Sequence, residues 1–82
     1  MIVRVRLFAA ARQLAEADEI QVDLPEESTF GQLRTAMLKR WPALAAVLPH
    51  SLFAVGSDYV DDQAAIPLAP ADIACIPPVS GG

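Results

Sequence analysis

The chain has 82 residues, 54% of them apolar, and a net charge of −4. Its length allows one domain with a small core, and its acidity argues against a nucleic-acid or anionic-membrane partner, which requires a basic face. One cysteine and one histidine exclude a disulfide framework, a structural zinc site and a cysteine-ligated iron–sulfur cluster. No apolar run reaches the ~20 residues of a membrane span and no signal-peptide pattern opens the chain, so we expect a single cytoplasmic domain over residues 1–82.

The N-terminal quarter predicts two strands joined by a helix. Residues 2–8 alternate between apolar and mainly charged side chains, which indicates a strand with one core face, and Phe8 lies on the other face. Alanine-rich residues 9–17, which include Arg12, predict a short helix. Residues 19–24 alternate again and predict a second strand, paired antiparallel with the first.

The longest helix is predicted just after residue 29. Thr29 and Gln32 have the spacing of a capping box, in which each side chain bonds the other residue's backbone amide. Apolar residues then recur every three or four positions, as expected for a core-facing helix. They are Phe30, Leu33, Met37 and Trp41. Pro42 ends the helix, and one or two further turns could follow it.

Three short strands are predicted in the second half. Residues 52–55 form the first, residues 56–58 a turn, and Tyr59 begins the second. Residues 72–76 form the last, and they are apolar on both faces, which is typical of a central strand or of one that meets a partner. The resulting β-α-β-α-β-β-β pattern predicts an α+β fold, the ubiquitin-like β-grasp, with a mixed sheet of four or five strands on one main helix. A doubly wound α/β fold is the alternative.

Few side chains are candidates for chemistry. His50 has no partner for a triad or a metal, and Cys75 lies mid-strand in a core-facing phase, where a buried, inert thiol is expected. The acidic residues after the turn do not match a calcium-binding loop and read as a solvated loop. They are Asp58, Asp61 and Asp62. We expect no self-contained active site.

The C-terminal segment is the exception. Its members are Pro77, Pro78, Val79, Ser80, Gly81 and Gly82. The two prolines lack amide donors and favour an extended exit from the sheet, and the glycines would let the tail enter a narrow channel. The last carboxylate would be sterically bare, which suits a carried reactive group, although a frayed terminus fits these residues equally well.

A resemblance to a known family runs over essentially the whole chain. Its motifs are Leu7-Phe8-Ala9 with Arg12, Leu33, Phe53-Ala54-Val55 and, most specifically, Ile76-Pro77-Pro78-Val79-Ser80-Gly81-Gly82. On these motifs the chain resembles the small sulfur-carrier subunit of molybdopterin synthase, a ubiquitin-like family. It departs from the family at Gly56, where asparagine is common, and at Pro70-Ala71-Asp72, where Gly-Asp-Glu is frequent.

The resemblance implies a carrier without catalytic residues of its own. An ATP-dependent, E1-like adenylating enzyme would activate the Gly82 carboxylate, and sulfur from a sulfur donor protein would convert it to a thiocarboxylate. Residues 77–81 would then insert the terminus into the large catalytic subunit, within a heterotetramer, where the sulfur passes to cyclic pyranopterin monophosphate. No cofactor would bind stably, since ATP is used by the activating enzyme.

Strand phase suggests where a partner would bind. Phe8, Tyr59 and Ile76 all alternate with core positions, so we expect an exposed apolar patch beside the tail exit. The resemblance implies apolar contact residues near these positions, and we include Arg12 among the partner-binding residues.

Three other functions remain open. A sulfur carrier for thiazole synthesis shares the fold and the Gly-Gly end, but such carriers are usually shorter. A protein modifier would conjugate Gly82 to lysine amines. A β-grasp ligand-binding module would need no free terminus.

Overall fold

The chain forms a five-stranded sheet with helices packed on one face, as seen in a computed structural model that describes residues 1–68 and 71–78. In chain order the elements are β1 (Ile2–Leu7), α1 (Ala9–Ala15), β2 (Glu19–Asp23), α2 (Phe30–Arg40), two 3₁₀ helices (Pro42–Ala46 and Leu48–His50), β3 (Leu52–Val55), β4 (Asp58–Val60) and β5 (Ile73–Ile76). The element order agrees with the predicted pattern, and the bounds differ from the expected ones by a residue or two.

The strands lie in the order β2-β1-β5-β3-β4. β1 and β5 are parallel, whereas the β1–β2, β3–β5 and β3–β4 pairs are antiparallel. The sheet is therefore mixed and β5 lies at its centre, which explains why that strand is apolar on both faces. The predicted ubiquitin-like α+β fold is confirmed, and the mainly antiparallel pairing excludes the doubly wound alternative.

The core lies between one sheet face and α2. Alternate residues of β1, β3 and β5 point inward and meet the buried stripe of α2. The largest fully buried side chains are Phe30, Phe53, Leu33, Met37, Leu44, Leu48, Val5 and Cys75. The rings of Phe30 and Phe53 lie 5.5 Å apart between centroids, so α2 and β3 meet at an aromatic contact.

The predicted capping box begins α2. The Thr29 hydroxyl oxygen accepts a hydrogen bond from the Gln32 amide at 3.3 Å, and the Gln32 side-chain oxygen accepts one from the Thr29 amide at 2.8 Å. Two backbone donors at the helix start are thereby satisfied.

Residues 61–66, which follow β4, cross the start of α2. The Phe30 amide donates to the Ala64 carbonyl at 3.1 Å, and the Gly31 amide donates to the Asp62 carbonyl at 2.9 Å. A Cβ at Gly31 would lie 3.2 Å from that carbonyl oxygen, so the close approach favours glycine. Ile66 is only 3% exposed and belongs to the core. This segment is thus part of the packed fold rather than a loose connection.

Arg34 joins this segment to the rest of the domain. Its Nε and Nη2 donate to the Asp62 carboxylate at 3.0 and 2.7 Å. Its Nη1 donates to the Leu48 carbonyl and, at 2.9 Å, to the Ser51 carbonyl. Its guanidinium carbon lies 4.9 Å from the centroid of the Phe53 ring. Asp62 lies in an exposed loop, as predicted, but its carboxylate is also the partner of this largely buried arginine, a structural role that the sequence did not indicate.

Gly56 occupies the turn between β3 and β4 with a φ of 61°. This left-handed conformation is favoured by glycine and tolerated by asparagine. The departure from the family at this position therefore preserves a residue suited to the turn.

Candidate functional site

The tail begins where the two central parallel strands end. Leu7 of β1 is in register with Cys75 of β5, so Phe8, which follows β1, and Ile76, the last residue of β5, lie side by side at the same end of the sheet. Pro77 is buried and Pro78 is exposed. The remaining predicted tail residues, Val79, Ser80, Gly81 and Gly82, lie outside the described residues.

An apolar groove of about 550 Å³ opens at this edge. Its walls come from Phe8 at the end of β1, from the start of α1, from Val47 between the 3₁₀ helices, and from Ile76 to Pro78 at the root of the tail. A protein surface that met this groove would therefore contact apolar side chains immediately before the tail.

The outer face of the sheet adjoins the groove at Ile76. Leu52 is paired with Ile76, and Ala54 is paired with both Ala74 and Tyr59. Residues paired across strands share a face, so the register places Tyr59 and Ile76 of the predicted patch on this outer face. Phe8 follows β1 in an extended conformation, and its ring centroid lies 5.6 Å from the guanidinium carbon of the outward-facing Arg6, so it lies at the same face. Between them lie side chains that the sequence analysis did not assign to the patch.

We call Phe8, Leu52, Ala54, Tyr59, Ala74 and Ile76 the outer apolar patch. Tyr59 is 66% exposed, Leu52 51% and Phe8 40%. Ala54 is only 4% exposed and is not a member of the core cluster, so it adds little accessible surface to the patch. The patch thus combines two small alanine side chains with four larger apolar ones.

Leu52 is the largest of the three members of the patch that the sequence analysis did not assign to it. It begins the apolar run Leu52-Phe53-Ala54-Val55, in which either phase would place two apolar side chains inward. The signal that could have resolved the phase is Phe53, the largest residue of the run, which is fully buried.

Arg12 lies apart from the outer apolar patch. It is on α1, and its Nε contacts the carboxylate of Asp18, with both side chains exposed. An exposed ion pair of this kind adds little stability, and the guanidinium remains accessible from solvent.

Cys75 is buried in the core, as predicted. Burial raises the pKa of its thiol, while a hydrogen bond with Ser51 and the nearby charge of Arg34 act in the opposite direction. The thiol therefore stays protonated at neutral pH, a state in which it is a weak nucleophile. His50 is exposed at the end of the second 3₁₀ helix.

The acidic residues near β4 have structural partners. The Asp61 carboxylate accepts hydrogen bonds from the amides of Gln63 and Ala64 at 2.9 and 3.0 Å, and Asp62 pairs with Arg34. Within residues 1–68 and 71–78, no three histidine, cysteine or acidic side chains could together hold a metal ion. No helix in the same ranges is long and apolar enough to cross a membrane.

Solved structures match the fold over the whole chain. SAMP1 from Haloferax volcanii is 26% identical, with a TM-score of 0.84 and complete coverage of both chains. A chain from the complex of subunits 1 and 2 of the molybdopterin-converting factor of Helicobacter pylori 26695 is 23% identical, with a TM-score of 0.68 and complete coverage of both. At that identity the second match supports the fold alone.

Sequence comparison identifies the family. The ThiS family matches residues 5–82. The molybdopterin synthase sulfur carrier subunit of Caenorhabditis elegans is 33% identical over 81 residues, covering 98% of this chain and 96% of the relative. The protein of the same name from Dictyostelium discoideum is 37% identical over 81 residues, covering 96% and 94%. The chain therefore belongs to the ThiS family and is similar over its whole length to molybdopterin synthase sulfur carrier subunits, as the motifs in its sequence predicted.

Proposed function

We propose that this chain is the sulfur carrier subunit of a molybdopterin synthase and that Gly82 carries the sulfur. The observation that carries the proposal is the position of the outer apolar patch and its groove beside the root of the tail. A partner that binds this surface would hold the chain by its folded domain and would receive the terminus that follows Pro78. The full-length similarity to sulfur carrier subunits supports the same assignment.

The chemistry requires activation of the terminus. A carboxylate is a poor electrophile, so an E1-like adenylating enzyme would use ATP to convert the Gly82 carboxylate into an acyl adenylate. A sulfur nucleophile from a donor protein would displace AMP, and the product would be a thiocarboxylate. Its sulfur would be transferred to cyclic pyranopterin monophosphate in the active site of the large subunit. ATP would be bound by the activating enzyme, and this chain would hold no stable cofactor.

The chain's own part is binding and presentation rather than catalysis. Pro77 is buried against the domain, so its position fixes where the tail starts. Val79 and Ser80 would seat the tail in the partner, and Gly81 would let the backbone pass through a narrow channel. The catalytic groups would then belong to the partners.

The outer apolar patch is the proposed docking surface for the large catalytic subunit, in a heterotetramer of two large and two small subunits. Exposed apolar side chains that cluster on one face mark protein contacts, and Phe8, Leu52 and Tyr59 supply most of this exposed apolar surface. Arg12 would contact a partner from α1 at the side of the patch. We propose that these steps take place in the cytoplasm.

A protein modifier is the second candidate. The observation that favours it is the match to SAMP1, which is named a small archaeal modifier protein. The same activated Gly82 would then acylate a lysine amine of a target protein instead of accepting sulfur.

One experiment separates the two. The purified chain is incubated with the adenylating enzyme, ATP and a sulfur donor, and its intact mass is measured. We expect the mass change of an oxygen-to-sulfur exchange, located at Gly82 by fragmentation, and conversion of the precursor to molybdopterin when the large subunit is added.

The matched control is a variant with one alanine added after Gly82. It keeps the domain and the patch but moves the reactive carboxylate, so it should not be loaded. Loading of this variant would contradict the carrier proposal. Isopeptide-linked adducts on lysines in place of a thiocarboxylate would support the modifier instead.

A further inference from the structure

The outer face of the sheet carries an ordered arrangement of charge beside the outer apolar patch. Arg4 and Arg6 point outward from β1, two residues apart, and we call them the arginine pair. In the strand register Arg4 faces Gln21 and Arg6 faces Glu19 on β2. On its other side Arg6 is in register with Ala74, which belongs to the patch. The arginine pair therefore lies between an acidic edge strand and the apolar surface.

Arg6 is positioned by its neighbours but not neutralised tightly. Its guanidinium carbon lies 5.6 Å from the centroid of the Phe8 ring, and its Nη1 lies 3.5 Å from the Asp72 carboxylate. Both members of that ion pair are more than half exposed. Such a pair contributes little stability, so the guanidinium is available to a carboxylate of a partner.

Arg4 forms no ion pair with any of the residues that the structure describes, and it is exposed. Side chains two positions apart on a strand face are separated by about 6.5–7 Å, so the two guanidinium groups repel each other in the free protein. The fold gains nothing from this repulsion. A rigid guanidinium fork binds carboxylates with two hydrogen bonds, so the arrangement suits recognition of acidic groups.

The rest of the chain makes the arginine pair distinctive. The net charge is −4 with ten acidic residues, and six of those lie between residues 16 and 27. Those six are Glu16, Asp18, Glu19, Asp23, Glu26 and Glu27. The arginine pair is thus a local positive stripe on an acidic protein, adjacent to an exposed apolar surface. A partner that matches both features can dock in one orientation only.

We propose that the arginine pair orients the docking of the large subunit by binding carboxylates that border the apolar contact surface of that partner. The proposal rests on the proposed function, because it concerns the partner of the same tail. The outer apolar patch supplies affinity through burial. The arginine pair sets the orientation in which the root of the tail faces the partner's active site.

The test measures binding of the chain to the large subunit of the same organism by calorimetry, at low and high ionic strength. We expect Arg4→Glu and Arg6→Glu each to weaken binding about tenfold at low ionic strength, because each replaces an attraction with a repulsion. The wild-type affinity should fall as salt is added, and the affinity of either variant should fall less.

Arg40→Glu is the matched control. Arg40 also stacks on an aromatic ring, with its guanidinium carbon 5.2 Å from the centroid of Trp41, but it lies at the end of α2, which packs on the inner face. The charge change is the same as in Arg4→Glu and Arg6→Glu, but Arg40 lies away from the proposed docking face. This variant should therefore bind within about twofold of wild type. Equal weakening by Arg6→Glu and Arg40→Glu would overturn the role of the arginine pair, since only net charge would then matter.

Sulfur loading of the same variants separates this inference from the proposed function. Wild type that is loaded at Gly82 and binds the large subunit, while Arg4→Glu and Arg6→Glu bind it as tightly, would overturn the inference alone. Wild type that neither accepts sulfur nor binds the large subunit would overturn both. Melting temperatures close to wild type are expected for Arg4→Glu and Arg40→Glu, because both side chains are exposed. Arg6→Glu should melt somewhat lower, because it places a carboxylate opposite Glu19 and beside Asp72, but it should remain folded at the temperature of the binding measurement, as circular dichroism would show.

Discussion

The inner and outer faces of the sheet use similar residues for different purposes. Leu52 and Phe53 are neighbours in β3, yet Leu52 is 51% exposed and Phe53 is fully buried. The inner face is explained by the fold, since its side chains meet α2 and the segment after β4. The outer face is not, because none of the elements described in the chain covers its apolar side chains. This difference is the physical basis of the proposal that a partner protein docks on the outer face.

The largest expected effect is on the free energy of unfolding, when Phe53 and Leu52 are each replaced by alanine in separate variants. Phe53→Ala removes a ring that contacts Phe30 and Arg34, and it should lower the free energy of unfolding by about 3–5 kcal/mol. Leu52→Ala should lower it by less than about 1 kcal/mol, because half of that side chain is already in water. Urea denaturation of the two variants measures both values.

Binding should show the reverse order. Leu52→Ala and Phe8→Ala should weaken binding to the large subunit about tenfold while both variants remain folded. An unchanged affinity in these variants would contradict the assignment of the outer apolar patch as the docking surface. A stability loss for Leu52→Ala equal to that of Phe53→Ala would contradict the distinction between the faces.

The next largest effect concerns the inner side of α2. Arg34→Ala leaves the Ser51 carbonyl without its donor, removes one of the two donors to the Leu48 carbonyl, and leaves the Asp62 carboxylate without its partner. We expect a loss of about 2–3 kcal/mol in the free energy of unfolding, since unsatisfied, partly buried acceptors are costly. Thermal denaturation monitored by circular dichroism measures it.

Arg40→Ala is the control for that change, because Arg40 lies on the same helix but is exposed. Its expected effect is within about 0.5 kcal/mol of wild type. Equal losses in the two variants would contradict the role assigned to the contacts of Arg34 with its three partners.

Local patterns in the sequence were sufficient for much of the fold. The alternation of residues 2–8 fixed the inward side chains of β1, and the spacing of Thr29 and Gln32 fixed the start of α2. The two-sided apolar character of β5 indicated its central place. Each of these features depends on neighbours within a few residues along the chain, which is why periodicity and capping rules detect them.

Contacts between distant segments were not predictable in the same way. Arg34 and Asp62 are 28 residues apart, and nothing in either neighbourhood indicates that they meet. Ile66 follows acidic residues that the sequence predicts as a solvated loop, but it is buried because that segment crosses the start of α2. Such contacts depend on how the sheet closes over the helix, and this closure leaves no local periodicity.

The candidate site was likewise predictable in part, where a local pattern was clear, and unpredictable elsewhere. Phe8, Tyr59 and Ile76 were assigned to the outer face from strand phase; the strand register places Tyr59 and Ile76 there, and Phe8 lies against the outward-facing Arg6. Leu52 was missed because its strand is apolar at every position. The role of Gly82 depends on resemblance and on the proposed chemistry, since residues 79–82 lie outside the described part of the chain.

The smallest expected effect is the pH dependence of the free energy of unfolding that arises from Cys75, the thiol on the inner face. Burial raises the pKa of Cys75, so the unfolded chain, with an ordinary cysteine pKa of about 8.5, loses its proton at lower pH than the folded chain. The contribution of the protonated thiol to the free energy of unfolding is therefore complete below about pH 8.5. It decreases as the pH rises above that value, by at most about 1.4 kcal/mol per pH unit for one proton. Urea denaturation of wild type and of Cys75→Ser between about pH 8 and 9.5 measures the slopes. The serine variant has no thiol to ionise, so its stability should fall less steeply even if it is lower throughout. Parallel slopes would mean that the thiol is equally accessible in both states, and the inner face at β5 would then be less closed than its burial indicates.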